Sequence, residues 1–533
     1  MLVGLATTLE LRSESPQSSR PMLRLPTFSK SKTMQAEKLD TRAKALAINL
    51  DEKRYGTFAE IGAGQEVVRW FFTAGGAAGT ISKSISAYDM QVSDAIYGPC
   101  RRYVCRTRLQ SMLDHEYTLN LDRLHKSRGL RTAFFTFADT VSARNFRGTN
   151  DCHGWLGVKF QSHPRDEASQ IIIHVRMLDD SNPQQQEALG IVGVNLLYAA
   201  FFHYHQPERL VESLLDGLST DRIEIDMIEF SGIEFRHVDN RLTALKLVQL
   251  GLSNAAMFEP DGTVIQPSEA LYKKSIVVER GSFRPVTRVN LDMLRCASEK
   301  FREEAGNDDE DAVSIMEITM KNLMATGDID YHDFLARADV LASCGKTVMI
   351  SNYFEYYRLA AYLARYTSKP IGITMGAHSL QEIFDEKYYG DLAGGILEAL
   401  GRLFKNRLRL YIYPFQDKES GELTTVDNLI VSPEHAKLYG YLVDKQCVVQ
   451  LDNFDPEILH IFSRDILQKI KAGDHRWEEM VPSSVRQVIT ERGYFGFVRV
   501  ATDTRTEQAS RATQGNDSPS LTPKTHVKES VGK

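Results

Sequence analysis

Four stretches of the chain gather residue types that could do chemistry. Residues 57–89 read TFAEIGAGQEVVRWFFTAGGAAGTISKSISAYD. Glycine lets backbone N–H groups approach an anion closely, and a helix start adds positive partial charge. Within this stretch Gly75, Gly76 and Gly79 could form an amide cradle for a phosphate or carboxylate, with Thr80 and Lys83 beside it. Close packing of helices through Gly and Ala is the competing reading. The P-loop pattern GxxxxGK[ST] is not matched, and EIGAG lacks the third glycine of GxGxxG. A second stretch, RNFRGTNDCHGW at 144–155, brings His153 near Arg144, Arg147 and Asp151. Histidine can serve as acid and base near neutral pH, and Asp151 is the nearest group that could set its tautomer. A third, ERGSFRPVTR at 279–288, spaces Arg280, Arg284 and Arg288 four apart, but Gly281 and Pro285 break any helix. The arginines therefore belong to a loop after a strand, where a guanidinium suits bidentate binding of phosphate or carboxylate. The fourth, IEIDMIEF at 223–230, puts Glu224 and Asp226 on one strand face and Glu229 on the other. Buried carboxylates need partners, and an arginine ion pair is favoured over a Mg²⁺ site. Glu317, in the strand-like run VSIMEIT, joins His153 as an acid–base candidate.

These groups need a scaffold, and its pattern is an alternation. Runs rich in β-branched and aromatic residues read as buried strands at 133–138, 223–230, 255–258, 275–279, 313–319, 347–351, 370–375 and 408–413. Segments of helical period separate most of them, such as 241–252, 333–344 and 354–366. A hairpin, 154–161 and 171–178, interrupts the series, and a long helical segment runs from about 184 to 218. The alternation predicts an α/β fold with a mainly parallel sheet. Eight candidates lean the reading toward a (β/α)8 barrel, with a doubly wound open sheet as the rival. Both place ligands at the carboxyl ends of the strands. The layout reads as a lead-in at 1–53, a Gly-rich and mostly helical segment at 54–130, an α/β core at 131–433, a helical cap at 434–500 and a disordered tail at 501–533.

The composition narrows the function. In 533 residues, 64 Lys+Arg against 70 Asp+Glu give a net charge of −6. A surface that tracks nucleic-acid phosphates usually shows basic excess, so nucleic acid is not the expected partner. The longest uncharged apolar run, 190–202, is too short to span a bilayer, so no membrane insertion is expected. Six cysteines in this length favour a reduced compartment, taken as cytoplasmic. Residues 1–33 carry five basic residues against two acids, which also suits an organelle-import segment.

Residues from about 54 to 497 resemble a family of microbial proteins slightly shorter than this chain. The likeness rests on FAEIGAGQEVVRWFFTAGGAAGTISKSISAYD, HGWLGVKFQ, QQQEALGIVGVNLLY, VDNRLTALKLVQLGL, RGSFRPVT, ISNYFEYY and FDEKYYGDLAGGILEALGRLF. Members carry transferred labels such as nicotinate-nucleotide adenylyltransferase and TonB-dependent receptor. A receptor of that kind would show a large outer-membrane barrel and a signal peptide, which are not read here. The adenylyltransferase label implies an HxGH-type motif and an ISSTxxR-like motif. The nearest runs, His153-Gly154 and His203-Tyr204-His205, match neither. What the resemblance implies is nucleotide or phosphate chemistry, which the Gly-rich and Arg-rich loops echo.

The expectation is thus an α/β enzyme, a nucleotidyl- or phosphoryl-transferase acting on a phosphorylated or nucleotide-like small molecule. Gly75, Gly76, Gly79, Thr80, Lys83, Arg280 and Arg284 would hold the anion in one pocket, and His153 or Glu317 would move the proton. No cofactor is assigned, and Mg²⁺ is compatible with such a site. A non-catalytic binding or regulatory protein on the same scaffold is the alternative. A methyltransferase, resting on EIGAG alone, is a third.

Overall fold

The strand-forming runs sort into two sheets. The computed structural model describes residues 38–498, apart from 63, 306–311 and 326. The expectations for the two chain ends fall largely outside the described residues.

In chain order the first strands are β1 (Arg54–Gly62), β2 (Ile81–Ile85), β3 (Ala133–Ser142), β4 (His153–Phe160), β5 (Ser169–Met177) and β6 (Ile223–Gly232). They make one mixed sheet in the order β2-β1-β3-β4-β5-β6. Strand β1 runs parallel to β2 and β3, and the pairs from β3 to β6 are antiparallel. The expected hairpin is β4–β5. One face of this sheet is sealed by the helix Asn182–Phe202, which is buried over most of its surface. The helix Glu66–Ala74 lies against it, and Gly193 permits the approach. A Cβ there would come within 2.3 Å of Val67 Cγ2.

The chain continues with β7 (Ala255–Phe258), β8 (Val264–Ile265), β9 (Ile276–Arg280), β10 (Val313–Thr319), β11 (Thr347–Ser351), β12 (Ile371–Gly376), β13 (Arg409–Tyr413), the small ribbon β14 (Phe415–Gln416) and β15 (Leu423–Thr424), and β16 (Val448–Gln450). The second sheet has the order β16-β13-β12-β9-β10-β11-β7-β8. Its six strands from β16 to β11 are all parallel, and β7 and β8 extend one edge in antiparallel fashion.

The leaning toward a closed barrel is corrected here. Renumbered along the parallel run, β9, β10 and β11 step outward one way, and β12, β13 and β16 step outward the other. That is the doubly wound order 3-2-1-4-5-6, in which helices cover both faces and the ends stay apart. The eight strands foreseen by pattern belong to two separate sheets, so no ring of eight can form. The alternation and the mainly parallel second sheet are as expected.

Side-chain caps fix where the helices begin. Asp330 accepts from the backbone N–H groups of His332 and Asp333 and starts Tyr331–Ser343. Asp239 does the same for Asn240–Gln249 through Arg241 N. An acceptor at this position satisfies amides that have no partner within the helix. One core joins the sheets. It contains Ile61, Ala138, Trp155 and Met227 from the first sheet, and Val277, Met316, Ile350 and Tyr411 from the second. Arg241 adds a polar tie, with Nη1 2.6 Å from Asp339 Oδ1. No helix of the described residues is long and apolar enough to cross a membrane.

Candidate functional site

Strand order alone locates a crevice. In an open doubly wound sheet, ligands bind beyond the carboxyl ends of the strands where the winding reverses. Here that point lies between β9 and β12, with Glu279 opposite Thr374 in the register. The chain leaves β9 through residues 281–287 and enters the helix Arg288–Ala305. Three donors and acceptors hold the loop from below. Asn322 Nδ2 donates to Gly281 O at 3.1 Å, Arg337 Nη1 donates to Ser282 O at 3.1 Å, and Ser463 Oγ donates to Pro285 O at 3.0 Å. At the helix start Thr287 N donates to Asn290 Oδ1, and Asn290 N donates back to Thr287 Oγ1. This reciprocal box frees Asn290 Nδ2 to donate to Glu279 Oε1 at 2.7 Å.

Glu279 is fully buried, and its Oε2 has no hydrogen-bond partner. Burial pushes its carboxyl up to about 8, against the donation from Asn290. At neutral pH it is therefore mostly an uncharged acid.

Arg280 and Glu317 form one unit. Arg280 gives Nε to Glu317 Oε2 at 2.8 Å and Nη2 to Oε1 at 3.0 Å, while Nη1 reaches Phe354 O at 2.7 Å. Its guanidinium lies 4.3 Å over the Tyr356 ring. Ser351 Oγ also donates to Glu317 Oε1, at 2.5 Å. Glu317 is thus committed to holding Arg280 flat. Arg284 is freer. It gives Nε to Asp333 Oδ1 at 2.5 Å, and its terminal nitrogens make no hydrogen bond among the described residues. Arg337 takes the other oxygen of Asp333.

The glycine stretch lies elsewhere. Gly75 and Gly76 have positive φ (92° and 77°) and no side chain crowds either. They join the helix Glu66–Ala74 to β2, and so lie at the amino ends of the parallel strands, the end away from ligand crevices. Asn49 Nδ2 donates to Gly75 O at 2.7 Å, and Thr80 Oγ1 donates to Asn49 O at 3.3 Å. Gly79 packs near the same Asn49 carbonyl. Lys83 pairs with Glu116, which also accepts from Tyr97 OH. No hydrogen bond or ion pair among the described residues links Gly75–Lys83 to Arg280 or Arg284. The structure therefore pairs Arg280 with Glu317, sets Arg284 on Asp333, and leaves the glycines, Thr80 and Lys83 on the other sheet. The shared pocket expected from the sequence does not form.

His153 belongs to a third group. Its Nδ1 is 3.0 Å from His174 Nε2, and His174 Nδ1 is 2.6 Å from Asp226 Oδ1. Gln266 Nε2 donates to Asp226 Oδ2 at 3.1 Å. With a neutral His174 that donates Nδ1–H to Asp226, His174 Nε2 accepts from His153 Nδ1–H. That leaves the lone pair of His153 on Nε2. Burial, then the His174 ring, lowers the His153 imidazole to about 4. Asp226 thus takes the orienting role foreseen for Asp151, acting through His174. The sequence signal was present, since Asp226 was marked as a buried carboxylate in want of a partner. Its neighbours on β6 took the arginines: Arg176 pairs with Glu224, and Arg106 with Glu229.

One further pair escaped the sequence reading. Glu60 on β1 and Asp139 on β3 are register partners. Glu60 accepts from Val67 N and Val68 N at the start of Glu66–Ala74. Neither oxygen of Asp139 has a partner. Burial raises both groups, Glu60 to about 8, and the charge of Glu60 raises Asp139 further. Gly64 crosses directly above, where a Cβ would come within 2.0 Å of Asp139 Oδ1. Two adjacent acid-bearing strands could have signalled this pair only if β1 had been placed beside β3. Among the described residues, no group of three or more His, Cys, Asp or Glu side chains is placed to hold a metal ion.

No protein-family model matches the chain, and no curated protein matches it. Solved structures do superpose on part of it. A competence/damage-inducible protein from Agrobacterium tumefaciens is 16% identical with a TM-score of 0.22, covering 31% of this chain and 98% of its own. A CinA superfamily protein from Klebsiella pneumoniae is 13% identical with a TM-score of 0.24, covering 31% and 99%. One from Escherichia coli is 14% identical with a TM-score of 0.23, covering 31% and 94%. Likeness at this level leaves the chemistry to be argued from the chain's own side chains.

Proposed function

We propose that the chain is an enzyme, a nucleotidyl- or phosphoryl-transferase in kind, that binds a phosphorylated or nucleotide-like small molecule in the crevice between β9 and β12. One observation carries the reading: the winding of the second sheet reverses at β9, and the end of that strand and the loop after it bear Glu279, Arg280 and Arg284. The terminal guanidinium nitrogens of Arg284 supply two outward donors for a phosphate. Arg280, held flat by Glu317, contributes fixed positive charge close by. Glu279, kept neutral by burial, has an oxygen with no other partner and can protonate a leaving oxygen. Transfer of a phosphoryl or nucleotidyl group depends mainly on positioning and charge stabilisation, and these groups provide both.

The test is a thermal-shift screen of the full chain against nucleotides, sugar phosphates, S-adenosylmethionine and divalent cations. A ligand present at 100 times its Kd stabilises the fold by about 2.7 kcal/mol, enough for a clear rise in melting temperature. The expected result is a rise with a nucleotide or sugar phosphate that disappears in Arg284→Ala. If every phosphate compound leaves the melting temperature unchanged, the reading fails. A response to S-adenosylmethionine alone would replace it with a methyl-transfer reading.

A further inference from the structure

A second cleft, sharing no residue with the crevice just described, opens between the helices Tyr356–Leu363 and Gly395–Leu403. Its volume is about 630 Å³, room for a molecule of nucleotide size. Arg358, Arg365, Arg402 and Lys405 line it against a single carboxylate, Asp391. Two of these cations are engaged: Arg358 with Glu355 and Tyr357 OH, and Arg402 with Glu398. Both are surface pairs between near neighbours on a helix, which contribute little and exchange readily. The side chains of Arg365 and Lys405 make no ion pair or hydrogen bond among the described residues, and the Arg365 guanidinium lies 5.7 Å from the Tyr362 ring centre.

At the wall of the cleft stands Tyr353. Its side chain is buried, with 9% of the residue exposed, and its hydroxyl has no hydrogen-bond partner. An orphaned buried hydroxyl is costly unless something completes it. The charges acting on this phenol are Arg365, which lines the same cleft, and Glu224, Arg176 and Glu317, which do not. Ala360, Ala361 and Ala364 add small apolar side chains to the lining. A flat ring can lie against such a surface.

We propose that this cleft binds a phosphomonoester carrying a flat ring, with Arg365 and Lys405 on the phosphate and the Tyr353 hydroxyl donating to an acceptor on the ligand. The chemistry of each part points the same way. Unpaired cations select the anion, the alanine floor admits the ring, and the phenol, which stays protonated at neutral pH, supplies one directed donor.

The probes are adenosine 5′-monophosphate and inorganic phosphate, titrated calorimetrically into the full chain. Expected is saturable binding of the nucleotide, weakened by salt and tighter than that of phosphate alone. Arg365→Glu, an exposed change, should weaken it at least about tenfold, the factor corresponding to loss of one charge-assisted hydrogen bond. Tyr353→Phe should weaken it about threefold to tenfold while leaving the melting temperature of the free protein unchanged or higher, because it removes an unsatisfied group. A merely structural tyrosine would lower that melting temperature instead, and this result counts against the proposal. Arg284→Ala should leave this binding intact, which separates it from the crevice. Binding abolished by Arg284→Ala and retained in Arg365→Glu would overturn the assignment, as would no saturable binding of the nucleotide.

Discussion

At the residue scale, the informative groups are the ones whose charge the fold suppresses. Glu279 is raised from an ordinary value near 4.5 to about 8 because burial disfavours its anion. A carboxyl raised in this way favours the fold fully below about pH 4.5, and that contribution is lost as the pH climbs to about 8. In that window the loss approaches about 1.4 kcal/mol per pH unit. Glu279→Gln keeps an acceptor for Asn290 and cannot ionise. Denaturant titrations at pH 5 and pH 8 should therefore show the variant gaining on the wild type as the pH rises. An equal difference at both values would mean that Glu279 is already ionised. His153 behaves in the opposite sense. Burial and the neighbouring His174 lower it from 6.5 to about 4, so its ring should remain neutral across pH 5–8. An NMR titration should find its resonances flat over that range, and a midpoint near 6.5 would refute the buried relay.

At the element scale, the sequence announced strands far better than it announced sheets. The runs 255–258, 313–319 and 347–351 coincide with β7, β10 and β11, because each is a short apolar stretch between turn signals. Strands β2, β8 and β16 were missed. The first is polar in ISKSI, and the other two are only two and three residues long. Strand β1 was hidden for another reason: Gly56 and Gly62 interrupt RYGTFAEIG, which fell within the segment read as Gly-rich and mostly helical. Gly56 is required there, since a Cβ would meet Phe135 O at 2.1 Å. Partnership is set by contacts distant in sequence, so nothing local could say that β1 pairs with β3 or that β12 returns to β9. This is also why half of the candidate site was legible. Arg280 and Glu317 were marked near strand ends and do pair, and Arg284 was marked in the loop after β9 and pairs with Asp333, whereas the glycines of GGAAG were chemically plausible but lie at the amino ends of their strands. Gly75 and Gly76 instead serve a turn at positive φ with no crowding neighbour, and helix contact through glycine can be tested at Gly193. Its hypothetical Cβ falls 2.3 Å from Val67 Cγ2, well inside contact distance. Gly193→Val should cost about 1–3 kcal/mol by overpacking. Urea unfolding measures it, and Val67→Ala in the same chain should restore part of the loss. A neutral Gly193→Val would show that the two helices can separate freely.

At the scale of the whole molecule, two sheets would ordinarily suggest two units that melt apart, since single cores rarely grow beyond about 250–300 residues. The packing argues otherwise. The core that lies under the first sheet's Trp155 runs without a break to Val277, Met316 and Ile350 of the second, and on to Trp477 near the carboxyl-terminal helices. Arg241 crosses between the helices Asn240–Gln249 and Tyr331–Ser343 to Asp339, which also accepts from Arg492 and Tyr494. Loss of either sheet would therefore expose apolar surface on the other, and a half-folded state would pay for both the exposed core and the broken ion pair. Tryptophan fluorescence can read each end separately, because Trp155 and Trp477 are both almost fully buried and the remaining tryptophan, Trp70, is only partly so. In Trp70→Phe chains, removing Trp477 leaves a reporter in the first sheet, and removing Trp155 leaves one beside the second. The shared core requires the two reporters to show the same denaturant midpoint after correction for each substitution's own effect on circular dichroism midpoints. Midpoints separated by more than that correction would mean that the sheets fold as independent bodies, and that the continuous core is a contact rather than a coupling.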